Sequence, residues 1–104
     1  FLADQDDVWY PHKIKVMTAI LAEADLVLSD CLVTDDRGNL IHSSFFDYRG
    51  SKSGWVHNMI KNSYVGCCMA FRREVLSYAL PFPVNIHMHD WWIGLLVELK
   101  GKCV

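Results

Sequence analysis

No run of apolar residues in this chain reaches the roughly 18 needed to cross a bilayer as a helix, and its first residues carry neither a basic n-region nor an apolar h-region. The expectation is a soluble, cytoplasmic stretch, with any membrane anchor of the whole protein lying outside it. An excess of positive charge is missing too. Ten Lys and Arg are scattered among twelve Asp and Glu, for a net charge of -2, which leaves no electrostatic footprint for nucleic acid. The four cysteines, Cys31, Cys67, Cys68 and Cys103, form no C-x-x-C pair, and two are adjacent, so neither a zinc site nor a disulfide framework is indicated. Reduced, mostly buried thiols are expected. Internal repeats and low-complexity stretches are absent. So is an initiator Met: the chain opens in the middle of what reads as a strand, with no turn or cap before it, as a fragment of a longer protein would.

What is present is an apolar content of 52% over 104 residues, ample for the core of one small domain. Pro11 suits the first turn of a helix, and Ile14, Met17, Ile20, Leu21 and Ala24 follow at helical spacing, which predicts a helix from about Pro11 to Glu23. The short apolar run from Asp25 to Ser29 reads as a buried strand. Turn chemistry from Asp35 to Asn39 separates two further short strands, its acids serving the turn. From His42 to Asn62 the chain reads as a long loop with a short helix near Trp55 to Lys61, either a lid facing a substrate or a surface excursion pinned by its aromatics. Tyr64 to Phe71 predicts a buried strand running into a helix that stops before Pro81. In the last helix Asp90 is the expected cap and Trp92, Leu95, Leu96 and Leu99 the expected core stripe, closing at Gly101. Strand, acidic loop, helix and strand in succession indicate an α/β protein, a class that binds ligands at the carboxyl ends of its strands.

The residues with the most chemistry sit at such an end. Asp4-Gln5-Asp6-Asp7 packs three carboxylates behind Phe1-Leu2-Ala3, and carboxylates so close repel one another unless protons or a cation compensate them. If the segment is extended, Asp4 and Asp6 share a face while Asp7 points away, whereas a turn would change this. Two converging carboxylates suit Mg²⁺, which fills its remaining positions with water and substrate phosphates. The second candidate is His87-Met88-His89-Asp90-Trp91-Trp92: Asp90 can act as a general base, and Trp91 can offer an apolar face to a sugar, with Trp92 assigned to the core. A histidine metal pair is disfavoured, because no third ligand follows His87 and His89 at usual spacing.

Three segments in order, Phe-Leu-Ala-Asp-Gln-Asp-Asp-Val-Trp-Tyr-Pro-His-Lys, Gly-Cys-Cys-Met-Ala-Phe-Arg-Arg-Glu-Val-Leu and Met-His-Asp-Trp-Trp, resemble the family 2 glycosyltransferases, particularly the bacterial rhamnosyltransferase-like members. The resemblance spans nearly the whole chain. It implies a GT-A fold, of which residues 1–104 would be the acceptor-side part of one catalytic domain, a mixed sheet with flanking helices that begins at the D-x-D strand and lacks the nucleotide-binding part. It further implies that Asp4 and Asp6 bind a divalent metal, Mg²⁺ or Mn²⁺, with Asp7 as a helper on the metal or the diphosphate. Asp90 would deprotonate the acceptor hydroxyl for an inverting displacement, with Trp91 and His89 contacting the acceptor. The partners implied are a nucleotide-diphosphate sugar donor and a saccharide or lipid-linked saccharide acceptor, as in the synthesis of cell-surface polysaccharide. His89 stands where many relatives carry an acid, and the Q-x-x-R-W segment of processive relatives is absent.

Two rivals remain. A haloacid-dehalogenase-like phosphatase would use Asp4 as a nucleophile, and Leu26-Val27-Leu28-Ser29 mimics its next motif, but the spacing is short and no later lysine and paired-acid segment follows. Alternatively the chain is an inert binding or assembly piece, expected to form a homodimer through apolar surface.

Overall fold

A computed structural model describes residues 1–104. The centre of the fold is a pair of antiparallel strands, β1 (Leu26–Leu28) and β4 (Met69–Phe71), in register Leu26 to Phe71, Val27 to Ala70 and Leu28 to Met69. Their near-continuous apolar sequence is explained by burial on both faces, with Leu26, Val27, Met69 and Ala70 all buried. Both chain ends lie along this pair. The Leu2 amide donates to the Met69 carbonyl at 3.0 Å. On the far edge the C-terminal residues run parallel to β1 through a Leu26–Cys103 bridge, with the Leu28 amide donating to Val104 at 2.8 Å. The expected α/β class is found, with a second antiparallel pair, β2 (Val33–Thr34) and β3 (Leu40–His42), joined by a turn in which Asp35 accepts the amides of Arg37 and Asn39.

Helix α1 (Lys13–Ile20) is shorter at both ends than the predicted Pro11 to Glu23. Pro11 and His12 form a turn, and the exit tightens into three-residue bonds, Glu23 donating to Ile20 at 3.0 Å, so that buried Ala24 leads directly into β1. Met17, Ile20 and Leu21 pack on Val27 and Ala70, whereas Ile14 is exposed. The predicted strand over Tyr64 to Phe71 is strand only from Met69. Residues Gly66–Cys68 form a 3-10 turn, and after β4 a second such turn, Arg73–Val75, leads into the short α4 (Leu76–Ala79).

Between β3 and β4 the structure is more regular than the long loop expected. Helix α3 (Trp55–Ile60) lies where a short helix was predicted, and α2 (Phe45–Arg49) is additional. A sequence signal for α2 exists: Ser44-x-x-Asp47 is a capping pattern, and the Ser44 hydroxyl accepts the Asp47 amide at 3.0 Å. Asp30 reinforces the same end from a distance. Its carboxylate accepts the Ser44 hydroxyl at 2.6 Å and the Phe45 and Phe46 amides at 3.0 Å each, relieving donors that a helix start leaves unpaired. Partial burial works to raise the Asp30 carboxyl, but the bonds from Ser44, Phe46, Cys31 and Phe45 outweigh it and hold the group below its ordinary 3.8. A depressed carboxyl stabilises the fold above its unfolded value and ceases to do so as pH falls through the folded one. Asp30→Ala is therefore expected to lower stability by about 1 kcal/mol near neutrality. The gap between urea melts of the two proteins should begin to close as the pH falls to about 3.8 and vanish only below the still lower value of the folded carboxyl; a gap independent of pH would show that the charge plays no part.

Buried Asn58 ties the loop together. Its side chain accepts the Ser63 amide at 3.0 Å and donates to the Lys52 and Gly54 carbonyls. Its own carbonyl accepts the Trp91 indole N–H at 2.7 Å, which fastens the loop to the last helix, α5 (His89–Lys100). On α5 the fully buried residues are Ile93, Gly94 and Val97; of the expected stripe Leu95 and Leu96 pack half-buried against the core, and Leu99 is exposed. The cause is Gly94: the face of the Tyr64 ring lies against its backbone, so closely that a Cβ there would sit 2.5 Å from three ring atoms. The helix turns its smallest residue, and with it Ile93 and Val97, toward the core of Leu26, Met69 and Val75. No helix is long and apolar enough to cross a membrane.

Candidate functional site

The acidic tip hangs from the amide of Leu2 at the edge of β4, where the chain turns sharply at Gln5 and Asp6. The Asp7 amide donates to the Asp4 carbonyl at 3.4 Å, and the Asp4 amide donates to an Asp7 carboxylate oxygen at 3.3 Å. The segment is thus not extended, and the side chains that converge are those of Asp4 and Asp7. Their carboxylates and the Cys67 thiol offer ligand atoms within 4.8 Å of one another. Asp6 does not join them. The turn at Gln5 and Asp6 removes the shared face that an extended segment would have given Asp4 and Asp6, and brings Asp7 to Asp4 instead.

Asp4 lines a cleft of about 700 Å³ together with His87 and, at the start of α5, His89 and Asp90. Leu2, Phe71, Phe82 and Ile93 supply apolar walls. The two acids stand at opposite ends of the sequence, and β4 with its preceding 3-10 turn brings them to one opening. Asp90 is half-buried, and its Oδ2 accepts the Gly66 amide at 2.9 Å while Oδ1 accepts the Trp91 amide at 2.7 Å. The N-cap of α5 is Met88, without a side-chain bond, so Asp90 is not the cap expected; from the first turn it satisfies one orphan amide of its own helix and one of the neighbouring turn. These two bonds fix the plane of the carboxylate and leave lone pairs free for a ligand. Gly66 serves here as a close neighbour, its α-carbon side facing the Asp90 carboxylate.

The flanking residues fall differently from expectation. His89 lines the cleft, exposed, with its ring edge-on to Phe82 at 4.6 Å. Trp91 does not line it: the ring packs on the core, anchored by its bond to Asn58, whereas the assignment from sequence gave the core to Trp92. Trp92 is half-buried and donates to the Ala79 carbonyl at 3.0 Å. Helical rotation by one position accounts for the exchange. Sequence reading overlooked Asn58, whose backbone carbonyl anchors Trp91 and carries no side-chain motif; Gly66, a glycine after an apolar run, was legible as a point of close approach, and the neighbour it admits is Asp90.

Behind the Asp4–Asp7 pair a second cleft of about 450 Å³ takes in Asp6, Asp7, Trp9, Lys13 and the three thiols of Cys31, Cys67 and Cys68. Burial pushes the Cys67 thiol up to about 12, helped by neighbouring Cys68 and Asp7, and burial likewise lifts Cys68 to about 11. Both are protonated at neutral pH. A hard cation at this turn would therefore find two carboxylate oxygens, the donors that Mg²⁺ and Mn²⁺ prefer, and a thiol that is a poor ligand for either. Two carboxylates with an open side fit a divalent cation. Comparison of the chain with protein-family models, with curated proteins and with solved structures finds no match.

Proposed function

We propose that this chain carries the base and the divalent-cation carboxylates of an inverting glycosyl transfer from a nucleotide-diphosphate sugar to an acceptor hydroxyl, with Asp90 as the base and Asp4 and Asp7 on the cation. One observation carries this: Asp4 and an oriented Asp90 border the same opening, the first beside a second acid and the second beside apolar walls. A cation bound by the two acids would neutralise charge developing on the departing diphosphate. Asp90 takes the proton of the acceptor hydroxyl as its oxygen bonds to the anomeric carbon, and the bond from that carbon to the diphosphate oxygen breaks on the opposite face. Base catalysis of this kind is worth about 10²- to 10⁴-fold. The Gly66 amide holds Asp90 in place throughout, and His89 on the rim is available to an acceptor hydroxyl. The acceptor is a saccharide, free or lipid-linked.

Calorimetric titration with Mn²⁺ discriminates between the acids. Asp4→Asn and Asp7→Asn are each expected to weaken uptake about tenfold, as loss of a charged oxygen ligand should, while Asp6→Asn changes it little. An effect confined to Asp4 and Asp6 would restore the extended pairing, and no uptake by the parent protein would end the cation reading. The phosphatase alternative is not favoured, because Asp6 stands outside the group that Asp4 forms with Asp7 and Cys67. The assembly alternative draws support from α3, where Val56, Met59 and Ile60 are 63%, 46% and 81% exposed on one short helix.

A further inference from the structure

Lys13 is half-buried at the start of α1 and lines the second cleft beside Asp7. Its Nζ donates to the Cys67 carbonyl at 2.8 Å, which places the ammonium on the residue whose thiol completes the Asp4–Asp7 group. The same Nζ lies 4.4 Å from the centre of the Trp9 ring. Carbonyl and ring together fix the end of a side chain that is otherwise among the most mobile. Yet no carboxylate pairs with it. Asp6, Asp7 and Asp30 border the same cleft, but the one ion pair in the protein joins Arg72 to Glu74. A half-buried, immobilised cation with free N–H donors and no anionic partner is arranged to receive an anion from outside. The nearby acids would repel such an anion unless it arrived with a cation of its own.

We infer that Lys13 is a diphosphate-contacting residue, pairing its ammonium with a non-bridging oxygen of a metal-bound diphosphate seated at Asp4 and Asp7. This rests on the function proposed above and extends it by naming the organic cation that shares the leaving group's charge. Because Trp9 already stacks under Nζ, arrival of the anion would also shift the position of the ammonium over the ring.

The probe is inorganic pyrophosphate with saturating Mg²⁺, followed by calorimetry and by the indole N–H resonance of Trp9, assigned with Trp9→Phe. Lys13→Met keeps the aliphatic stem against Trp9 and removes the charge; it is expected to weaken pyrophosphate binding about tenfold to a hundredfold with Mg²⁺ affinity unchanged. Lys13→Arg should recover most of the loss. Pyrophosphate should move the Trp9 indole signal in the parent protein and not in Lys13→Met. Equal pyrophosphate affinity in parent and Lys13→Met, with the fold intact by circular dichroism, would overturn the role of Lys13 while leaving the cation site standing. A parent protein that takes up Mg²⁺ but no pyrophosphate would overturn it as well, and one that takes up neither would remove the cation site too.

Discussion

Replacing Asp90 by Asn is expected to leave the protein folded and able to bind donor and cation, while turnover falls by about 10²- to 10⁴-fold. The substitution keeps the size of the side chain and one carbonyl oxygen. That oxygen can still accept the Gly66 amide, which reaches the carboxylate at 2.9 Å in the parent, or the Trp91 amide, but not both as the two carboxylate oxygens do now. Losing one such bond costs about 1 kcal/mol and should appear as a small drop in melting temperature. What the amide cannot do is take a proton. A large fall in kcat with donor affinity retained therefore separates the base role from a bracing role, in which activity and stability would decline together. If Asp90→Asn turns over normally, the base lies elsewhere, with His87 and His89 on the same rim as the next candidates.

The largest effect on stability is expected at Gly94. In an exposed helix, changing Gly to Ala gains about 1 kcal/mol from backbone entropy. Here the added methyl would lie 2.5 Å from three carbons of the Tyr64 ring, and that ring is buried, with Ile93 and Val97 beside it. Overpacking of a dense core costs about 1 to 3 kcal/mol and more when the neighbour has nowhere to go. The clash wins over the propensity gain. Gly94→Ala should therefore be destabilised by about 2 kcal/mol in urea melts, and pairing it with Tyr64→Leu, which thins the opposing side chain, should return part of the loss. A stabilised Gly94→Ala would show that α5 does not pack as described. Gly66 is the contrasting case: a Cβ there meets Asp90 no closer than 3.5 Å, an ordinary contact.

Much of this could be read from the residues because local chemistry and burial agreed. The apolar run Leu26-Val27-Leu28, the Asp35 turn and the helix near Trp55 all lie where their side chains indicate. Disagreements arose where a distant partner decided the outcome. The fully buried face of α5 is that of Ile93, Gly94 and Val97 because Tyr64, remote in sequence, demands a glycine beneath it. The same placement exchanges Trp91 and Trp92, and no periodicity within the helix reveals it. Asp4 and Asp7 converge because backbone bonds across Gln5 and Asp6 close a turn, and the alternation that would unite Asp4 with Asp6 applies only to extended chain. Which acids sit together was thus hidden in the sequence, although the presence of an acidic tip was not. The cleft joining Asp4 to Asp90 was legible only through the resemblance, since nothing in either motif alone points to the other.

The most direct measurement is ³¹P and ¹H NMR of the protein with Mg²⁺, a panel of nucleotide-diphosphate sugars and saccharide acceptors. Release of nucleoside diphosphate together with a glycoside of opposite anomeric configuration, both lost in Asp90→Asn, is the result expected from a base and a cation site on one cleft. Donors that remain intact across the panel, or a product that keeps the donor's configuration, would contradict it.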